Sequence, residues 1–390
     1  MSKKILHITP YFKPATIYGG PVFVIHDLAK ELVGLGNEVT IFTTNANGEK
    51  DLEIAVNQPC EKDGIIVYYF KRWRKNNLFI TPKLWQTLWK KANDFEVIHI
   101  HSWWNLTAIF AVLICWLKGI RPILSAHGMI SNYSFHAKHS LLKKVMYLLG
   151  GKWLLNQVIL HATVQQESAE WQETIPSWQH FICPNIVTLP NIKKSNKLLS
   201  KSGTFKLLFL SRIHEVKGIE LLLAALKPLT INWELTIAGT GEEEYINSLK
   251  HQCRELGIAH KVNWIGWISG EKKQQILQDN DLFILPSKNE NFAVVVLESL
   301  AVGTPVLLSK EVGLGPYVKE QDFGWICERN TTAFSTAILE TFADITKRKR
   351  IQRNAPQQVR KDFASREIAL QYITHYEQFF QKKVFVPEVV

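Results

Sequence analysis

Apolar runs of strand length alternate with longer helical patterns along nearly all of this chain, and few folds accept that rhythm. It is the signature of a parallel sheet wrapped by crossover helices. Strand-like segments fall at Lys4–Ile8, Glu38–Thr43, Ile65–Phe70, Val97–Ile100, Pro122–Ser125, Val158–Val164 and Phe181–Cys183. Helical patterns lie between them at Val22–Val33, Pro82–Lys91, Leu106–Leu117 and Leu141–Leu148. A Lys/Ser-rich stretch, Asn191–Thr204, breaks the periodicity, and a second α/β series begins at Phe205. That series runs LLFLS, a helix Gly218–Leu226, ELTIAG, a helix Glu242–Leu256, VNWIG, a helix near Ser269–Gln278, LFILPS and TPVLLS, followed by a loop Glu311–Pro316. A last amphipathic helix spans Ser365–Phe380. With 390 residues the chain exceeds the size at which one core keeps growing. Two Rossmann-like domains are expected, 1–190 and 205–362, joined by a linker at 191–204 and followed by a helix and tail at 363–390.

The net charge of +11 implies an anionic partner. No zinc spacing, RNP string or Arg-rich arm accompanies it, which argues against nucleic acid. Three basic stretches are interleaved with aromatic and aliphatic residues, Phe70–Lys75, Leu84–Lys91 and His139–Trp153. Such mixtures suit either an anionic membrane surface or core aromatics beside solvated lysines. The longest apolar run, Leu106–Leu117, is too short to span a bilayer. The N-terminus enters a strand at once, without a signal-peptide h-region, so a cytoplasmic protein is expected, peripheral at most on the inner face of the membrane. Cys60, Cys115, Cys183, Cys253 and Cys327 show no CxxC spacing and read as reduced thiols.

Four places concentrate chemistry. Tyr18-Gly19-Gly20-Pro21 closes the loop after the first strand and opens a helix, whose start attracts anions or hydroxyls. His127 stands at the end of the strand Pro122–Ser125, on the ligand side of an open sheet. Arg212 and Lys217 flank a strand-to-helix loop, where two cations beside helix N–H groups would cradle a diphosphate. Finally, Glu290 and Glu298 bracket the run NFAVVVL. If the whole run is helical, the two acids stand roughly 12 Å apart and are rotated by about 80°. Amides of Asn291, Phe292 and Ala293 would then be open at its start, to sugar hydroxyls or phosphate.

Two other strings read differently. His99 and His101 share one strand face at a spacing that could suit a metal, but no carboxylate pattern supports it. Asp279-Asn280-Asp281 looks like a metal-binding DxD, yet it leads straight into the buried strand LFILP and reads as a turn and cap. No metal and no cofactor is expected.

Together these motifs resemble the retaining GT-B glycosyltransferases of family 4, across nearly the whole chain. The resemblance implies two Rossmann-like domains facing a central cleft, with the last helix crossing back to the N-terminal domain. It places a nucleotide diphosphate-sugar donor on the C-terminal domain and a saccharide or lipid-linked saccharide acceptor on the N-terminal one. By the same resemblance Arg212 and Lys217 neutralise the leaving diphosphate, Glu298 takes the ribose hydroxyls, Gly19 and Gly20 touch the donor, and His127 lies at the reacting centre. Glu290 could bind the sugar or stabilise an oxocarbenium-like transition state, and it need not be a covalent nucleophile. The implied activity is metal-independent transfer in cell-surface polysaccharide synthesis. Two departures, Pro184-Asn185-Ile186 and Gln165, mark a divergent subgroup. A sugar-nucleotide epimerase, a phosphorylase and a catalytically silent glycan-binding subunit are the alternatives.

Overall fold

The computed structural model describes residues 2–76, 78–130, 147–174, 178–190 and 203–380. Most of the helical pattern Leu141–Leu148, most of the stretch 191–204 and the tail beyond Phe380 lie outside the described residues. The chain forms two compact units. Residues up to Val187, together with the helix from Ser365, make the first, and Thr188–Ala364 make the second.

In the first unit β1 (Lys4–Ile8), β2 (Glu38–Thr44), β5 (Pro59–Lys62), β6 (Ile65–Phe70), β7 (Val97–His101), β8 (Ile123–Ser125), β9 (Ile159–Ala162) and β10 (His180–Ile182) form one sheet. Its order is β10-β9-β8-β7-β1-β2-β6-β5, and a separate hairpin pairs β3 (Ala46–Asn47) with β4 (Lys50–Asp51). All the pairings of the large sheet are parallel except β5 with β6. The central strands are covered on both faces, which is why they read as unbroken apolar runs. β5 is the exception: its four residues, PCEK, are all exposed, a polar edge that carries no apolar signal. Helices α1 (Gly20–Gly34), α2 (Pro82–Lys91) and α3 (Leu106–Leu117) follow β1, β6 and β7. The helix Gln165–Thr174, which was not anticipated, follows β9.

The second unit holds β11 (Phe205–Leu210), β12 (Trp233–Ala238), β13 (Val262–Gly266), β14 (Leu282–Leu285), β15 (Val306–Ser309) and β16 (Gly324–Cys327). They are ordered β13-β12-β11-β14-β15-β16 and all parallel. In chain order this is the 3-2-1-4-5-6 arrangement, whose order reverses between β11 and β14. β16 and the helices Thr331–Ala343 and Ile345–Asp362 extend the unit beyond the strands expected. The expected loop Glu311–Pro316 runs instead into a short helix, Gly315–Glu320.

The last helix, Ser365–Phe380, packs on the first unit, as the resemblance implies. It buries Ile368, Ala369, Tyr372 and Tyr376 there. Among the described residues no helix is long and apolar enough to cross a membrane. The basic stretch Phe70–Lys75 is not one surface. Phe70 is core, and Arg72 is buried with its Nε 2.6 Å from Asp51 Oδ1 and its Nη2 2.7 Å from the Gly48 carbonyl, leaving Trp73 exposed.

Candidate active site

The order reversal of the second sheet brings two loops together. One follows β11 and carries Arg212 and Lys217. The other follows β14 and carries Glu290. Close approach between them depends on glycine: Gly218 has φ +70°, and a Cβ built on it would overlap the Pro286 carbonyl oxygen. Nearby, Cβ atoms at Gly239 and Gly241 would overlap the carbonyls of Ser211 and Ile213, so the loop after β12 lies directly against the Arg212 loop. Lys288 N–H donates to the Val216 carbonyl at 2.7 Å, and Lys217 Nζ forms an ion pair with Glu290. The two expected site residues are thus in direct contact. Arg212 is exposed, with no ion-pair partner among the described residues. Val216 N–H donates to His214 Nδ1 at 3.2 Å, which shapes the turn. Burial and the adjacent Arg212 lower the pKa of His214.

The run from Glu290 to Glu298 is not one helix. Helix formation starts at Val294, because Ala293 takes the left-handed conformation at φ 54°, ψ 63°. Glu290 N–H donates to Glu311 O at 3.2 Å, and Gly313 N–H donates to Glu290 O at 2.8 Å, so Glu290 is held as an extended residue against the loop after β15. The helical spacing expected for the two glutamates therefore does not apply. The opened turn has its own consequence: the Phe292 and Ala293 amides have no backbone hydrogen-bond acceptor among the described residues. Asn291 precedes them, and the Phe292 ring is buried 6.2 Å from that of Phe363. Next to this loop, Glu311 Oε2 is buried without a hydrogen-bond partner among the described residues.

Glu298 sits on the helix Val294–Ala301 and meets Lys273 of the helix Gly270–Asp279. Lys273 Nζ lies 2.7 Å from Oε1 and 2.5 Å from Oε2. Burial raises the carboxyl pKa, and Lys273 opposes that shift. The lysine was not among the expected residues, since nothing local in the sequence links positions so far apart. Asp281, in the DxD-like string, accepts from the Lys206 N–H at 2.9 Å, and Asn280 Nδ2 donates to the Ile276 carbonyl at 2.7 Å. These contacts make a cap and a strand entry.

The remaining expected residues, Gly19, Gly20 and His127, belong to the first unit. Gly19, at φ +74°, caps α1, and Pro21 occupies its first turn. The loop before it is braced by Tyr11 stacked on Tyr18, ring centroids 4.2 Å apart, and by Gly48 N–H donating to Tyr18 Oη at 3.0 Å. His127 has φ +50°, and Gly128 N–H donates to Glu167 Oε1 at 2.9 Å. The other oxygen of Glu167 accepts from Thr163 N–H at 2.9 Å, so a buried carboxylate of the unanticipated helix holds the turn.

His127 is the partly exposed end of a buried row. Its Nε2 is 3.2 Å from His101 Nδ1, and His101 Nε2 is 2.9 Å from His7 Nδ1. A second branch runs from Tyr376 Oη to His99 at 2.8 Å, on to Ser125 Oγ at 2.6 Å and then to His161 at 2.6 Å. His161 Nε2 meets Tyr372 Oη at 3.1 Å and the Cys183 carbonyl at 2.8 Å. Register explains the row, since β1 sets His7 beside His99, and β8 sets Ser125 between His101 and His161. Burial lowers every ring's pKa, to about 3 for His7 and His161 and to about 4 for His127, so the row is neutral at neutral pH.

Nitrogens of His7, His99 and His101 lie within 4.8 Å of one another. Rings that ligate one metal aim their nitrogen lone pairs at a common point. Here His101 stacks on both His7 and His99, and every nitrogen of the three except His7 Nε2 is already hydrogen-bonded. In this arrangement the ring nitrogens are engaged in hydrogen bonds to one another and to Tyr376, Ser125 and His127.

Residues 191–358 match the family described as Glycosyl transferases group 1, and residues 18–187 match Glycosyltransferase Family 4. An uncharacterized glycosyltransferase of Methanocaldococcus jannaschii is 26% identical over 388 residues, covering 93% of this chain and 95% of its own. Sucrose-phosphate synthase from Thermosynechococcus elongatus shares the fold with a TM-score of 0.76 at 20% identity, over 97% of this chain and 99% of that one. The Anabaena protein HepE, solved with UDP and glucose, superposes with a TM-score of 0.73 at 20% identity, over 97% and 100%.

Proposed function

This chain belongs to the glycosyl transferases group 1 and has the GT-B fold, and from that premise we propose that it moves a hexose-like sugar from a nucleotide diphosphate to a saccharide or lipid-linked saccharide. One observation carries the reading: Lys217, paired with Glu290, stands with Arg212 at the order reversal of the second sheet. Two cations on loops packed this closely suit the charge that grows on a departing diphosphate. In the proposed reaction the bond from the anomeric carbon to the diphosphate breaks. An acceptor hydroxyl oxygen bonds to the same face of that carbon, and its proton passes to the departing phosphate. Configuration is retained, and no residue has to serve as a strong base. Arg212 and Lys217 stabilise the leaving group, and Glu290 keeps the ammonium in place and faces the sugar. The Phe292 and Ala293 amides donate to sugar hydroxyls or phosphate, Glu298 accepts from the ribose, Gly19 and Gly20 add donor contacts, and His127 flanks the reacting carbon. No metal is assigned a step, because the cationic side chains supply the charge. The setting proposed is cell-surface polysaccharide synthesis on the cytoplasmic side.

A thermal-shift panel of UDP, GDP, ADP and their sugar conjugates tests this reading. The HepE complex makes UDP the first to try. A shift with one nucleotide family, absent in both Glu298→Ala and Arg212→Ala, is expected, because a ligand that binds only the folded state stabilises it. No shift with any nucleotide would replace the transferase reading with a silent glycan-binding subunit.

A further inference from the structure

Helix α3 is apolar on two faces. Ala108, Ala111, Val112 and Cys115 are buried in the first unit's core. Leu106, Phe110, Leu113 and Leu117 recur at helical spacing on another side, where Phe110 is 37% and Leu117 54% exposed. A helix apolar all round is ordinarily buried in a core or in lipid, yet among the described residues the neighbours leave Phe110 and Leu117 exposed on this outer face. Trp85 of α2 stacks on Phe110 with ring centroids 4.4 Å apart, and Trp153 of the short helix Lys152–Leu155 meets Trp116 edge-on at 4.7 Å. Trp89, on the exposed side of α2, has Lys118 Nζ 4.8 Å from its ring centre.

The charge carried by the three helices of this face has one sign. Lys83, Lys90, Lys91 and Lys152 are exposed, and none of the three helices contains an acidic residue. Tryptophans set among lysines over aliphatic surface match the boundary of an anionic bilayer, where the rings sit at headgroup depth and the ammonium groups meet phosphate. A second copy of the chain would bring two lysine rims against each other. We propose that the face made by α2, α3 and Lys152–Leu155 docks on an anionic lipid surface. This goes beyond the transfer reading, since vesicle binding is measured without donor or acceptor.

Sedimentation of the full chain with phosphatidylcholine vesicles, with and without phosphatidylglycerol, tests it. Binding roughly tenfold tighter to the anionic vesicles is expected, weakening as salt rises. Leu117→Ser with Trp89→Ser should lower binding at every salt concentration. Lys90→Glu with Lys91→Glu should remove the preference for anionic lipid, whereas Lys227→Glu with Lys319→Glu, an equal change of charge in the second unit, should leave it intact. Thermal unfolding of each variant separates lost docking from lost fold. Equal binding to both vesicle types would overturn the proposal, and so would equal loss in the second-unit pair. A dimer of the wild-type chain that Leu117→Ser dissolves would overturn it in favour of a second copy.

Discussion

Lys273 and Glu298 stand on different helices of the second unit, and the lysine Nζ touches both carboxylate oxygens, at 2.7 and 2.5 Å. The pair couples the residue proposed to read the ribose to a helix that no motif singled out. Burial raises the Glu298 pKa despite that partner. A raised carboxyl pKa means that the fold favours the protonated form, so the associated stability is present at acid pH and lost as pH rises through the raised value. At neutral pH the charged glutamate is therefore a net cost to the fold.

Glu298→Gln is accordingly expected to keep or raise the melting temperature while weakening donor binding. Loss of a charged acceptor for the ribose hydroxyls is worth roughly 1.5–3 kcal/mol, about 10- to 150-fold in affinity. Calorimetric titration with the donor nucleotide, beside thermal unfolding, checks both halves. A variant that loses stability and keeps affinity would place Glu298 in the scaffold rather than the site.

Removing the Lys217 ammonium should lower kcat by roughly 10²–10³-fold, with a smaller effect on KM, because its charge is matched to the leaving group. Glu290→Ala leaves Lys217 unpaired and misplaced. The double variant should therefore be little worse than Lys217→Ala alone. Steady-state kinetics of the two single variants and the double one measure this, and full additivity would mean that the two residues act independently.

Gly218→Ala probes the contact between the two loops. The positive φ and the overlap with the Pro286 carbonyl together should cost roughly 2–4 kcal/mol of stability. Urea unfolding gives the figure, and donor binding should weaken in the same variant.

The buried histidines predict acid sensitivity. Their folded pKa values lie below the ordinary 6.5, so on acidification the unfolded chain takes up protons first. Stability present above about pH 6.5 should fall as pH drops toward the folded values, each fully buried ring contributing up to about 1.4 kcal/mol per pH unit. His7→Leu, which also removes the unpaired His7 Nε2, should make the slope shallower. Unfolding free energies measured between pH 5 and pH 7 decide this.

Both sheets were legible because buried parallel strands are near-continuous apolar runs, and Leu282–Leu285 or Ile5–Ile8 could hardly be anything else. The elements that escaped are those whose sequence hides burial. The helix Ile345–Asp362 is mostly charged and polar, contains Pro356, and hides its contacts in Arg348, Ile351, Ala355 and Val359. Strand β16, GWIC, is short and only partly buried. Arg212, Lys217 and Glu290 could be placed on strand-end loops from the sequence, because each follows an apolar strand run. The Lys273–Glu298 pair and the link from Glu167 to the His127 turn could not be read, since each joins positions that only the folded backbone brings together. The break at Ala293 was missed because its left-handed conformation is set by the surrounding loop and not by alanine's own preference.

Tyr372 and Tyr376 close the histidine row from the last helix, although their partners His161 and His99 lie far earlier in the chain. A ribosome making this protein delivers the whole second unit before it releases those two tyrosines. The first unit therefore waits, with His99 Nδ1 inside its sheet lacking its partner, while a later segment can already complete its own core. A nascent chain halted short of Ser365 would expose that gap, and quality-control machinery would meet a finished second unit tethered to an unfinished first one.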